Sequence, residues 1–190
     1  MGVSVGILGG AFDPPHVGHV ELARRGIERF DLDRLLIRVV EDPGHKDVDT
    51  APQIRLFLAE LAFGTLDEAE VSLDAFARTV DSLAALALED PVFLVGADEF
   101  ADFLEWKDPE KVLELAHLGV ATRPGVDRTR LDAVLASLDR PERVSFFEIV
   151  PLAVSSSDLR RRVAGGEPIA GLVPRAVEAE IGRLGLYGPG

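Results

Sequence analysis

The chain contains no cysteine, which excludes a disulfide framework and any metal held by thiolates. Lysine is scarce: Lys46, Lys107 and Lys111 are the only three among 190 residues. Basic residues number 20 against 33 acidic ones, leaving a formal net charge of −13. A protein that grips nucleic acid or an anionic membrane presents a basic face, so this balance argues against both partners. Long apolar runs are missing too, and none approaches the roughly 20 residues of a membrane-spanning helix. The opening "MGVSVGILGG" has no basic stretch followed by a longer apolar run, so it does not read as a signal peptide. The expectation is a cytoplasmic protein, with which a homo-oligomer is compatible.

What is present is apolar material in a regular rhythm. Hydrophobic residues make up 47% of the chain, enough for a substantial core. Short runs suited to buried strands ("VSVGIL", "RLLIRVV", "AEVSL", "PVFLVG", "HLGVAT", "RVSFFEIV") alternate with helix-like segments. The helices are expected over 17–30, 53–63, 79–89, 108–116, 128–138, 156–164 and 174–184. Strands spaced in this way by helices predict an α/β fold: a Rossmann-like, doubly wound, mainly parallel sheet with helices on both faces. No repeat, linker or low-complexity tract interrupts it. A single domain over 1–190 is expected, with a C-terminal helical portion (about 153–190) packed on it.

In such a sheet ligands bind where strands end and helices begin. The first strand runs into "GGAFDPPHVGH". Gly9 and Gly10 permit a tight turn that aims N–H groups at an anion. Pro14 and Pro15 delay the helix until about His16. His16 and His19, three apart, share one face of its first turn, and Gly18 between them leaves room for a flat group. The stretch is neither a G-x-G-x-x-G fingerprint nor a P-loop. Two histidines also fall short of the three protein ligands that a catalytic zinc takes, so no metal held by protein side chains is expected. A plain turn followed by an exposed helix start is the competing reading.

The second chemical stretch is "VSSSDLRRRV". Ser155 or Ser156 can cap a helix, and Ser155 with Asp158 has capping-box spacing. That leaves further hydroxyls and Arg160 unexplained. Hydroxyls and free N–H groups at a helix start bind phosphate oxygens, and an arginine one turn later adds a charge-assisted contact. Two of the three consecutive arginines fit a solvated face.

Together, "GGAFDPPHVGH" and "SSSDLR" resemble the H-x-G-H nucleotidyltransferase superfamily. Almost end to end, the chain is similar to bacterial nicotinate mononucleotide adenylyltransferases: "PGHK", Arg55, "ARTVDSL", "FLVGADEF", "FLEW", "ATRPG", "VSSSDLR" and a closing "GLY" occur in that order. The resemblance implies adenylyl transfer from ATP to nicotinate mononucleotide, giving the deamido dinucleotide and pyrophosphate, with Mg2+ held mainly by phosphates. It implies His16, His19, Lys46 and Arg160 as catalytic residues. Gly9, Gly10, Ala11, Phe12, Gly18, Gly96, Asp98, Ser155, Ser156 and Ser157 would bind ATP, and His45, Thr79, Trp106 and Arg123 the mononucleotide. Asp98 and Thr79 could otherwise be helix caps, and Trp106 a core or interface aromatic. Rival substrates are the amide mononucleotide and phosphopantetheine; a non-catalytic nucleotide-binding protein is the rival class. The chain departs from the family pattern at Ala11, where a hydroxyl residue is usual, at Gly44 in "PGHK", and at Arg78, where an aromatic residue often stands.

Overall fold

The computed structural model describes residues 3–44, 48, 50–125 and 128–188. Strands β1 (Val5–Gly10), β2 (Arg34–Val40), β3 (Ala69–Asp74), β4 (Val92–Gly96), β5 (His117–Thr122) and β6 (Val144–Glu148) form one sheet in the order β3-β2-β1-β4-β5-β6. Every neighbouring pair is parallel. The helices are α1 (Val17–Phe30), α2 (Pro52–Phe63), α3 (Thr79–Leu86), α4 (Ala97–Ala101), α5 (Pro109–Leu115), α6 (Thr129–Ala136), α7 (Ser156–Ala164) and α8 (Arg175–Leu184).

Alternation along the strands explains the layering. Leu35, Ile37 and Val39 of β2 are fully buried in a core shared with Ala23 of α1, Leu58 of α2, Leu159 of α7 and Val177 of α8. On the opposite face, Ile7, Val95 and Val120 pack with Val80 of α3, Phe100 of α4, Leu113 of α5 and Leu131 of α6. Both faces of a parallel sheet must be covered, and two helical layers cover them. The C-terminal helices α7 and α8 belong to the first of these cores.

One sequence expectation is corrected. Gly9 and Gly10 are not the turn; they continue β1 and pair with Arg38 and Val39 of β2. The chain reverses further on, at Phe12, whose φ of 51° lies in the left-handed region. The Asp13–Pro14 peptide that follows is cis.

The strand order reverses between β1 and β4. These two strands pair only at Gly6–Val92 and Ile7–Phe93, whereas β1 pairs with β2 along its whole length. Beyond Ile7 the carboxyl ends of β1 and β4 therefore part, opening the crevice in which an open parallel sheet binds ligands.

Candidate active site

The turn after β1 is built from the inside. Phe12, 2% exposed, turns into the core and meets Phe63 and His19 edge-on, with ring centroids 5.5 and 5.1 Å away. Gly10 makes room for it, since a Cβ there would come within 3.0 Å of the Phe12 ring. Phe12 thus offers a ligand main chain only.

His16 caps α1 in an extended conformation. Its N–H donates to Nδ1 of His19 at 3.2 Å, and the two imidazoles stack with centroids 3.6 Å apart. Gly18 allows this, because a Cβ would sit 3.1 Å from the His16 ring. The flat group lying against Gly18 is therefore the protein's own His16. That imidazole is only 7% exposed, and its Nδ1 is buried without a hydrogen-bond partner. Burial, with Arg123 nearby, lowers its pKa to about 4. At neutral pH His16 is uncharged and offers one N–H donor and one acceptor. Positive charge at the crevice therefore does not come from His16.

The serine stretch arrives at the same turn. Ser155 caps α7, its hydroxyl accepting from the Asp158 N–H at 3.2 Å. Ser156 Oγ donates to the carbonyl of Pro14 at 2.9 Å, and Arg160 Nη1 to the carbonyl of Asp13 at 2.7 Å. Arg161 and Arg162 instead pair with Asp158 on their own helix. Ser157 is exposed beside them. In the first turn of α7 the N–H groups have no intrahelical acceptors, so the helix start, Arg160 and the histidine pair border one space.

Three residues beneath this surface were given no role by sequence reasoning. Asp13, 1% exposed, accepts from the Tyr187 hydroxyl at 2.5 Å, while its other carboxylate oxygen is buried and unpaired. Burial, reinforced by Asp13, raises the Tyr187 pKa, so the phenol stays a donor. Arg55, also 1% exposed, donates to the carbonyls of Ala11, Val40 and Glu41, each at 2.8 Å, and of Thr50 at 3.0 Å. One guanidinium thus ties the end of β1 to both ends of the loop between β2 and α2. Ala11 takes part through its main-chain carbonyl, which any residue at that position supplies. Tyr187 is the only tyrosine, and that rarity was the available signal.

The remaining candidates lie on the same edge of the sheet. Gly96 caps α4, which rules out the cap reading of Asp98; Asp98 is exposed in the first turn. Arg78 caps α3 and Thr79 is its first residue, so Thr79 is not a cap either. Trp106 is half-buried, with its ring edge-on to Phe103 and Phe93. Arg123 follows β5, exposed and close enough to depress the His16 pKa. His45 and Lys46 lie outside the described residues.

Residues 7–162 match the cytidylyltransferase-like family model. A probable nicotinate-nucleotide adenylyltransferase of Moorella thermoacetica is 34% identical over 97% of this chain and 92% of its own. That of Thermomicrobium roseum is 36% identical over 96% and 91%. Among solved structures, the fold is similar to Plasmodium falciparum nicotinic acid mononucleotide adenylyltransferase complexed with NaAD, with a TM-score of 0.79, 16% identity and 98% of each chain covered. The chain belongs to the cytidylyltransferase-like family and, within it, to the nicotinate-nucleotide adenylyltransferases.

Proposed function

We propose that the protein transfers the adenylyl group of ATP to nicotinate mononucleotide, a step of NAD biosynthesis, as a single nucleotidyltransferase unit in the cytoplasm. An oxygen of the mononucleotide 5′-phosphate attacks the α-phosphorus in line. A new P–O bond forms, the bond from that phosphorus to the bridging oxygen breaks, and pyrophosphate leaves with the electron pair. Such a transfer asks for positioning and charge stabilisation rather than a covalent intermediate. The observation that carries the reading is the meeting of two distant motifs at Asp13 and Pro14, where Arg160 and Ser156 dock.

Each residue's part follows from its state. His16 and His19 hold phosphate oxygens, His16 as a neutral hydrogen-bonding group. Arg160 and the start of α7 hold the β- and γ-phosphates, and Lys46 supplies a further positive charge to them. Asp98 accepts ribose hydroxyls. Trp106 offers a ring against which a pyridine can stack, and the main chain at Thr79 reads the ring's carboxylate.

Magnesium travels with the triphosphate. The site's donors are imidazole, hydroxyl, guanidinium and N–H groups, and no cluster of three or more acidic or imidazole side chains forms among the described residues. This set suits phosphate oxygens, so the ion's own ligands are phosphate and water. When bound, it neutralises charge on the leaving pyrophosphate.

Pyrophosphate release with ATP and each of nicotinate mononucleotide, nicotinamide mononucleotide and phosphopantetheine tests the assignment. The acid is expected to be the preferred acceptor; a preference of more than a few-fold for another acceptor overturns it. His16→Ala and His19→Ala are each expected to lower kcat by about 100-fold or more. Unchanged rates in both would remove the two histidines from the catalytic machinery.

A further inference from the structure

In this acidic chain most guanidinium groups are neutralised by carboxylates, as Arg34 is by Glu70 and Arg143 by Asp90. Others are spent on carbonyls or rings, as Arg55 and Arg29 are. Arg78, Arg123 and Arg175 have no such partner among the described residues. Arg175 opens α8, whereas Arg78 and Arg123 follow the carboxyl ends of β3 and β5, on the ligand-binding edge. Arg123 acts on His16 and so faces the phosphate side. Arg78 is left without an assignment.

Its segment is anchored and is tied to that of Trp106, the ring proposed to stack on the pyridine. Asp74, 3% exposed at the end of β3, accepts from the Phe76 N–H at 3.1 Å and from the Ser82 hydroxyl at 2.5 Å. Its carboxylate also lies 3.4 Å from Arg38. These contacts fix the segment that carries Arg78 at both its β3 and α3 ends. One turn on, Asp81 shares the helix face of Arg78, three residues away. Both oxygens of Asp81 are occupied by Lys107, at 2.9 and 3.0 Å, and Lys107 directly follows Trp106. This ion pair joins the start of α3 to the tryptophan segment. It also neutralises the Asp81 carboxylate, and among the described residues no carboxylate pairs with Arg78.

We propose that Arg78 determines the choice between acid and amide, its guanidinium pairing with the carboxylate on the pyridine ring, while Lys107 keeps Asp81 from competing for it. The inference rests on the adenylyl-transfer reading above. The acid and amide mononucleotides differ at neutral pH by one negative charge, and only the acid gives an ionic partner.

The test is kcat/KM for the two mononucleotides at saturating ATP. In Arg78→Gln the value for the acid is expected to fall about tenfold or more, as for a lost hydrogen bond to a charged group, with the amide held within about twofold. Arg78→Lys is expected to retain most of the selectivity. Lys107→Met is expected to lower it, and Asp81→Asn combined with Lys107→Met to restore it. Quenching of Trp106, the sole tryptophan, by each mononucleotide without ATP is expected to give the same ranking in Kd. An unchanged acid-to-amide ratio in Arg78→Gln, or an equal fall for both substrates, overturns the assignment of Arg78 alone. A wild-type protein that uses neither mononucleotide overturns the functional reading along with it.

Discussion

At the scale of the residue, His16 shows how burial decides chemistry. Its ring is held neutral by desolvation and by Arg123, so raising the pH from 6 to 8 removes no charge from it. The consequence for stability has a definite sign. The folded pKa, about 4, lies below the value near 6.5 of an unfolded histidine, so in acid the unfolded chain takes up the proton first. Stability from this group is complete above pH 6.5 and declines as pH falls towards 4, by at most about 3 kcal/mol. Urea denaturation across pH 4–7.5 is expected to show a steeper acid loss in the wild type than in His16→Asn. Parallel curves would mean that the ring is solvated.

At the scale of the element, the site depends on side chains from distant segments that finish each other's hydrogen bonds. Tyr187→Phe leaves the Asp13 carboxylate buried without its 2.5 Å donor, and the expected cost is about 1–3 kcal/mol. In a chain of this size each kilocalorie lowers Tm by about 2–4 °C. A fall in kcat should accompany the lower Tm, because Asp13 also receives Arg160. Arg55→Lys is the harsher change. An ammonium group cannot reach four carbonyls spread over two strand ends, so a loss above about 3 kcal/mol is expected in denaturant titration. A loss below 1 kcal/mol would show that water replaces the guanidinium without cost.

Elements were also where the sequence was most and least legible. The span of α1, Val17–Phe30, and that of β2, Arg34–Val40, are readable residue for residue from apolar periodicity and the preceding prolines. The helix expected over 79–89 stops earlier, because Ala87 adopts φ of 47° and ends it at Leu86. No element is assigned to "EFADFLEW" from the sequence; the helix there begins back at Ala97 and is followed by a single 3-10 turn at Phe103–Glu105. Gly9 and Gly10 misled for a physical reason. Glycine permits a turn without requiring one, and here it serves close packing in a strand. The histidine and serine motifs were legible as chemistry because their spacing is local. Asp13 was not, since an acid in a turn proposed to bind phosphate makes sense only once Tyr187 and Arg160 are seen against it.

At the scale of the whole molecule, the crevice divides the sheet into a β1–β2–β3 half and a β4–β5–β6 half, and a bound dinucleotide would touch both. Ligand that binds only the folded state stabilises it by about 2.7 kcal/mol at one hundred times Kd. Thermal melts are expected to show a larger rise in Tm with the deamido dinucleotide than with ATP at equal concentration, because a ligand that contacts both halves gains affinity from each. Equal rises would show that the second half adds nothing to binding.

The bonds from Ser156, Arg160 and Tyr187 back to Pro14 and Asp13 close loops of 142, 147 and 174 residues. Contacts this far apart in the chain carry the greatest loop-closure cost and come late in folding. During translation, a nascent chain made only as far as Val150 already holds both histidines and the strand order that frames them, yet nothing to dock against their turn. The turn that carries the histidines thus lacks its docking partners until the ribosome has produced residues 142 or more positions beyond it.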